Sequence, residues 1–280
     1  MKLRLYLDFI KIEHTLFALP FAYVGALLAG YLDFKLAFLI LLAFTGLRTA
    51  AMSLNRIIDR EIDAKNPRTA KRHLPAGLIS LNEAYAITFV ALVVYFTSAV
   101  LINKTCALLS PIPPLIAYVY PYLKRYSCIC HYFLGLNLAL APLGGFVAVT
   151  DSIDFLNKGY NVFLLSLGVL LWVAGFDIIY SLQDLEFDRK EGLHSLPAHF
   201  GERFATFVAL ANHLLFLALV YFALEYLIVA AFLAILISAE HYIVHFRREK
   251  LDYAFFHLNA LISATIFGYV FFRYILASAL

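Results

Sequence analysis

Asn55, Asp59 and Asp63 follow one another at intervals of four in NRIIDREID, and Tyr180, Asp184 and Asp188 do the same in YSLQDLEFD. Residues four apart stack one turn above each other on a helix. Each carboxylate pair therefore repels itself unless a cation lies between, and two such pairs imply a shared cation site. The donors are oxygen only, with no Cys or His inside either pattern. That choice favours Mg²⁺ over zinc, and Mg²⁺ completes its shell with water and substrate phosphates. The expected substrate is a phosphate ester, specifically a diphosphate.

The likeness between the two patterns runs on. Leu74-Pro75-Ala76 follows the first after Arg68, Lys71 and Arg72, and Leu196-Pro197-Ala198 follows the second after Arg189 and Lys190. The aspartates are offset by 125 residues and the LPA triplets by 122. An internal duplication with halves near 14–125 and 130–250, inside one domain over 1–280, would bring the two loops together across a pseudo-axis.

These motifs need a scaffold, and composition names it. Hydrophobic residues make up 63% of the chain and charged residues 15%, against roughly 25% charged in soluble domains; mean hydropathy is +0.82. Apolar runs long enough to cross a bilayer fall at about 14–32, 36–58, 82–103, 105–122, 130–150, 161–182, 202–222, 224–246 and 252–276. The expected fold is an all-α membrane bundle of nine transmembrane helices, with a central cavity opening to the aspartate loops. The first run lacks a small-residue cleavage site, so no removed signal peptide is expected. With a cytoplasmic N-terminus, seventeen Lys and Arg fall on inside segments and four (Lys35, Lys104, Lys158, Arg273) outside. That asymmetry places the N-terminus and both aspartate motifs on the cytoplasmic side of a multi-pass cell-membrane protein.

Arg48 is the one basic residue left over, about eleven residues from the cytoplasmic end of its span and too deep for easy snorkelling. It precedes Asn55 by seven residues and Asp59 by eleven, which puts it on the carboxylate face and makes it a substrate-binding candidate. Asp177 lies seven residues before Asp184 on the second motif face, beside Tyr180. Asp177 and Tyr180 are substrate-binding candidates on that face, and the plainer reading of Asp177 is an ion-pair partner for an arginine such as Arg48. Gln183 stands at the edge of that face, where it could orient a metal-bound water or a substrate oxygen.

The strings NRIIDREIDAKNPRTAKRHLPAG (55–77), YPYLKR (120–125) and DIIYSLQDLEFDRKEGLHSLPAHFG (177–201) resemble the UbiA-type intramembrane aromatic prenyltransferases over essentially the whole chain. Arg56 and His73 depart from the commoner Asp and Pro at those places. The resemblance implies two Mg²⁺ ions held by Asp59, Asp63, Asp184 and Asp188, with Asn55 supplying a neutral oxygen. It implies that Arg68, Lys71, Arg72 and Lys124 hold the diphosphate leaving group. It also implies transfer of a polyprenyl group from an allylic polyprenyl diphosphate to a ring carbon of an aromatic acceptor, in ubiquinone or menaquinone biosynthesis. IEHTLFALPFAYVGALLAG and CHYFLGLNLALAPLGG resemble the 4-hydroxybenzoate polyprenyltransferase branch. An acceptor carboxylate facing Arg48 fits 4-hydroxybenzoate, with 1,4-dihydroxy-6-naphthoate as the alternative. No nucleic-acid partner is expected.

Other residues take plainer readings. Cys106, Cys128 and Cys130 lack the further ligands a metal site needs. His213 and His241 read as buried hydrogen-bonding groups, His14 and His131 as possible cavity liners, and His194 and His199 as neighbours of the diphosphate. Pro111, Pro113 and Pro114 must distort the fourth span. A CDP-alcohol phosphotransferase would need a glycine-led D-G-x2-A-R string that does not occur. An inverted-repeat transporter would use Arg48 and Asp177 as a gating pair.

Overall fold

Caps at the ends of apolar runs set where the helices start. Asp33 accepts a hydrogen bond from the Leu36 amide at 2.7 Å, and Asn103 accepts from the Cys106 amide at 2.7 Å. Ser80 forms a capping box with Glu83: the Ser80 amide donates to Glu83 Oε2 at 2.8 Å, and the Glu83 amide to Ser80 Oγ at 3.2 Å. Each device satisfies amides that the first helical turn leaves without partners.

The computed structural model describes residues 2–279. In chain order the helices are α1 (Lys2–Ile10), α2 (Ile12–Leu28), α3 (Phe34–Ile58), α4 (Arg60–Lys65), α5 (Leu81–Ile102), α6 (Lys104–Leu109), α7 (Ile112–Leu123) and α8 (Cys130–Thr150). There follow α9 (Tyr160–Ser181), α10 (Leu185–Glu191), α11 (Leu196–Phe200), α12 (Glu202–Leu224), α13 (Leu227–Phe246), α14 (Leu251–Tyr253) and α15 (Asn259–Ala279). The fold is all-α. Among the described residues eight helical stretches are long and apolar enough to cross a membrane, and α2, at 17 residues, is shorter. The expected first span is thus the one that falls short of that length. The expected fourth span is bent, as its prolines require: α6 ends at Leu109 and α7 begins at Ile112, with Pro111 at the joint.

The central element is α9, which packs on α8 and α12, while α2 packs on α8 and α15, and α3 on α5 and α7. Trp172 of α9 is fully buried among Phe21, Phe176 and Phe216, and its indole N–H donates to Asn259 Oδ1 at 2.9 Å. That bond satisfies the one polar atom such a ring brings into the core. Large apolar side chains such as Phe34, Phe89, Phe207 and Leu227 stay exposed, as a lipid-facing rim requires.

Close approach of α2 and α8 depends on glycine. A β-carbon at Gly25 would lie 1.9 Å from the Pro142 carbonyl oxygen, and one at Gly145 would lie 2.0 Å from that of Ala22. Backbone against backbone leaves no flexible atom to give way, and small residues at such crossings are how membrane helices gain packing. Gly25→Ala and Gly145→Ala should each destabilise the protein by about 1–3 kcal/mol or more, read as a lowered thermal midpoint in detergent. Gly268→Ala, with open space around its β-carbon, should leave the midpoint unchanged or slightly raised.

Candidate active site at the cavity mouth

Both aspartate patterns lie where a long helix stops. α3 ends at Ile58 and Asp59 takes φ −91°, ψ 2° before α4 resumes. α9 ends at Ser181, a 3-10 turn covers Leu182–Asp184, and Asp184 takes φ −103°, ψ 5° before α10. The chain therefore breaks at the first aspartate of each pattern, and the carboxylates do not lie along one straight helix as the spacing predicts. The Asp63 amide still donates to the Asp59 carbonyl at 2.7 Å, so that pair remains a turn apart.

Every motif aspartate meets a donor. Lys124 Nζ donates to Asp59 Oδ2 at 2.5 Å, and Asn55 Nδ2 reaches the same oxygen at 3.3 Å. Arg72 Nη1 donates to both oxygens of Asp63, at 2.7 and 2.8 Å. Arg68 grips Asp184 with two nitrogens, Nε lying 2.8 Å from Oδ1 and Nη2 closing on Oδ2. Asn66 Nδ2 adds a bond to Asp184 Oδ1 at 2.8 Å, and Ser195 Oγ donates to Asp188 Oδ2 at 2.5 Å. Arg68 and Asn66 come from the first loop and Asp184 from the second, as do Lys65 and Glu191, which pair at 3.0 Å. These bonds tie the two loops together, as the repeated motifs led one to expect.

Burial sets the charge states here. It raises the Asp59 carboxyl above the ordinary carboxylate range, and the Lys124 ammonium only partly opposes this. For Arg68 burial works against the charge, but the hydrogen bond and charge of Asp184 outweigh it and hold the guanidinium above its usual value. Among the described residues no three carboxylate, imidazole or thiol groups converge on a common metal position; the basic side chains occupy the space between the aspartates. The donor set is nonetheless all oxygen, and Asp59 Oδ1 is buried without a hydrogen bond, with Arg125 Nη2 at 3.6 Å. An oxygen-seeking cation fits that unsatisfied atom.

Above the loops opens a cavity of about 800 Å³, walled by α2, α3, α7, α8, α9 and the segment around Phe255. Arg68, Lys71 and Arg72 line it, together with Asn55, Asp177 and Tyr180. Tyr180 lies beneath Arg68, 5.3 Å from its guanidinium carbon, and its hydroxyl accepts from Arg68 Nη1 at 3.2 Å. Arg48 reaches the cavity as its helical position predicted. Its Nε is buried without a partner.

One reading is corrected. Asp177 does not pair with Arg48: its Oδ2 lies 2.7 Å from His131 Nδ1, so the gating pair on which a transporter reading rested is not formed. Gln183 does not itself line the cavity, but its Nε2 lies 3.4 Å from Oδ1 of Asp252, which does. His14 lines the cavity and His131 does not. His194 packs against His199 with ring centres 5.9 Å apart, and its amide donates to the Lys124 carbonyl at 2.7 Å. The structure also adds Arg56, read from sequence only as a departure. It lines the cavity, is 8% exposed, and buries Nε and Nη1 without partners. Asn137, Ser195 and Asn66 were missed as well; a lone amide inside an apolar span was the one available signal for Asn137.

Residues 18–267 match the UbiA prenyltransferase family. A 4-hydroxybenzoate octaprenyltransferase from Vibrio atlanticus (strain LGP32) is 30% identical over 172 residues, 61% of this chain and 59% of that protein. One from Enterobacter sp. (strain 638) is 32% identical over 155 residues, 55% of this chain and 52% of its own length. The matches thus span less than two thirds of these curated relatives. The apo structure of a UbiA homolog from Aeropyrum pernix K1 superposes with a TM-score of 0.84 at 38% identity, covering 96% of this chain and 99% of that one. A UbiA homolog from Archaeoglobus fulgidus bound to DMAPP and Mg²⁺ shares the fold with a TM-score of 0.69 at 21% identity, covering 95% and 98%. The chain belongs to the UbiA prenyltransferase family.

Proposed function

We propose that this protein transfers a polyprenyl group from an allylic polyprenyl diphosphate to a ring carbon of a hydroxyaryl carboxylate, with 4-hydroxybenzoate as the acceptor, in a Mg²⁺-dependent step of quinone biosynthesis. The observation that carries this reading is the cavity wall of α3, where Arg48 and Arg56 present buried guanidinium nitrogens with no partner. An unpaired buried cation is costly. A site built this way is completed by anionic ligands: a diphosphate toward the mouth and a carboxylate farther in.

Asp59, Asp63, Asp184 and Asp188 would hold the metal, as two ions, with Asn55 as a neutral donor. When bound, Mg²⁺ offsets the diphosphate charge and helps the allylic carbon–oxygen bond to break. Arg68, Arg72 and Lys124, which neutralise the aspartates in this structure, become free to hold the leaving oxygens together with Lys71. Tyr120, Tyr180, Phe255 and Phe256 line the cavity; they exclude water that would quench an allylic cation and offer it their ring faces. The acceptor carbon attacks the allylic carbon as diphosphate departs, and the ring loses one proton, for which the Asp177 carboxylate lines the same wall. Arg48 orients the acceptor through its carboxylate. A second, apolar chamber of about 530 Å³ adjoins this one at Asn137 and suits the isoprenoid tail. The basic-residue asymmetry supports a cytoplasmic mouth, and the matching helix breaks at Asp59 and Asp184 support the duplication reading.

Mg²⁺ dependence is the first test. Asp59→Ala and Asp184→Ala should lower turnover by on the order of 10²-fold or more, several kcal/mol of lost charge compensation, as diphosphate release from an allylic substrate. Asp59 must be ionised to take a cation, and its pKa is raised. Mg²⁺ affinity is then full above that pKa and falls as pH drops through it, at a higher pH than for an ordinary aspartate. A Mg²⁺ titration across pH that shows no such loss would remove Asp59 from the metal set.

Arg48 tests the acceptor class. Arg48→Met should weaken the KM for 4-hydroxybenzoate by about 2–4 kcal/mol and leave the KM for prenyl diphosphate nearly unchanged. A competition between 4-hydroxybenzoate, 1,4-dihydroxy-6-naphthoate and a neutral phenol decides the rest. Preference for the neutral phenol, with no acceptor-specific defect in the variant, would eliminate the carboxylate reading.

A further inference from the structure

His131 stands outside every role assigned above, yet it is 2% exposed and both ring nitrogens are engaged. The Leu196 amide donates to Nε2 at 3.1 Å, so Nε2 carries no proton. The proton therefore sits on Nδ1, which donates to Asp177 Oδ2 at 2.7 Å. A neutral imidazole with one nitrogen fixed as acceptor has its other nitrogen fixed as donor.

Leu196 follows Ser195, whose hydroxyl donates to Asp188 Oδ2 at 2.5 Å. A path of three buried hydrogen bonds and one stretch of backbone thus runs from Asp188 in the second aspartate loop to the Ser195 hydroxyl, along the chain to the Leu196 amide, and through the His131 ring to the carboxylate of Asp177 on the cavity wall. Ser195 is 5% exposed and Asp188 8%. Away from water, each bond along such a path is sensitive to the alignment of the next. Of the two Asp177 oxygens, Oδ2 is committed to His131, which leaves Oδ1 to accept from a ligand in the cavity.

We propose that His131 is a positioning residue that couples loading of the second aspartate loop to the orientation of Asp177, so that Asp177 receives the acceptor hydroxyl only when the diphosphate half of the site is filled. The inference rests on the acceptor reading of the cavity. Its physical content is a linkage: Mg²⁺ and diphosphate at the loops should tighten acceptor binding, and the acceptor should tighten theirs by the same factor. Filling in this order admits the acceptor to its productive position only in a site that already holds the prenyl donor.

Two substitutions separate the two bonds. His131→Asn places an amide nitrogen where Nδ1 stands and keeps the donor to Asp177, but loses the contact with Leu196. His131→Gln reaches the Nε2 position and keeps the acceptor for Leu196, but loses the donor to Asp177. Binding of 4-hydroxybenzoate to the full-length protein in detergent is measured by calorimetry, without and with Mg²⁺ and inorganic diphosphate. Wild-type protein should bind about tenfold more tightly in their presence, within the usual range for coupled sites. Both variants should lose that gain while still binding Mg²⁺ and diphosphate. In their absence His131→Asn should bind the acceptor as wild type does, and His131→Gln more weakly. Undiminished coupling in both variants would overturn the proposal and leave His131 as a packed polar group. Should neither variant fold, Asp177→Ala, which removes the oxygen that accepts from His131, carries the same test, and coupling retained there overturns the proposal. Wild-type protein that binds no 4-hydroxybenzoate under either condition overturns the acceptor reading itself, whereas wild-type binding without coupling overturns only the relay.

Discussion

The clamp of Arg68 on Asp184 is the contact around which the site is organised. A carboxylate at the end of a membrane helix must be neutralised, since neither lipid nor packed protein solvates it. The chain meets that demand from the other half of the molecule, across 116 residues. Asn66 adds a bond to the same carboxylate and Lys65 pairs with Glu191, so the two loops close over the cavity as one lid. Without the second loop Arg68 and Lys65 would lose their anions, whereas Arg72 finds Asp63 within the first loop.

Asp59, Asp63 and Asp184 each meet a cationic side chain, whereas Arg48 and Arg56 keep buried nitrogens without a partner. Both arginines line the ~800 Å³ cavity. Local rules of polar satisfaction are violated where a ligand is to supply the missing partner. The same holds for Asp59 Oδ1 on the anionic side. Deficits of both signs, held apart by the basic side chains between them, describe a site that a metal diphosphate and an organic anion would satisfy together.

The two motif copies share their backbone break and differ in their partners. Asp59 meets Lys124 from the end of α7 and Asp184 meets Arg68 from the opposite loop; Asp63 meets Arg72, whereas Asp188 meets only the Ser195 hydroxyl. The second copy is thus the less cationic one, and it is the copy wired to Asp177 through His131.

Much of this was legible in the residues themselves. Hydropathy alone placed α8 at 130–150 and α12 within two residues of its ends, because a bilayer demands an apolar length that composition reports directly. The 3.6-residue period put Arg48 on the cavity face, and the matching LPA contexts brought the two aspartate loops together. What could not be read was which side chain answers which. Asp177 takes His131 rather than Arg48, Gln183 meets Asp252, and Arg56 turns inward, because partner choice depends on distances between helices remote in sequence. The sequence determined the membrane bundle, the oxygen-rich loops and the basic residues beside them, since these follow from local composition and helical periodicity. Only the tertiary structure decided which charges are paired and which are left open, since that is settled by desolvation and geometry where five helices meet.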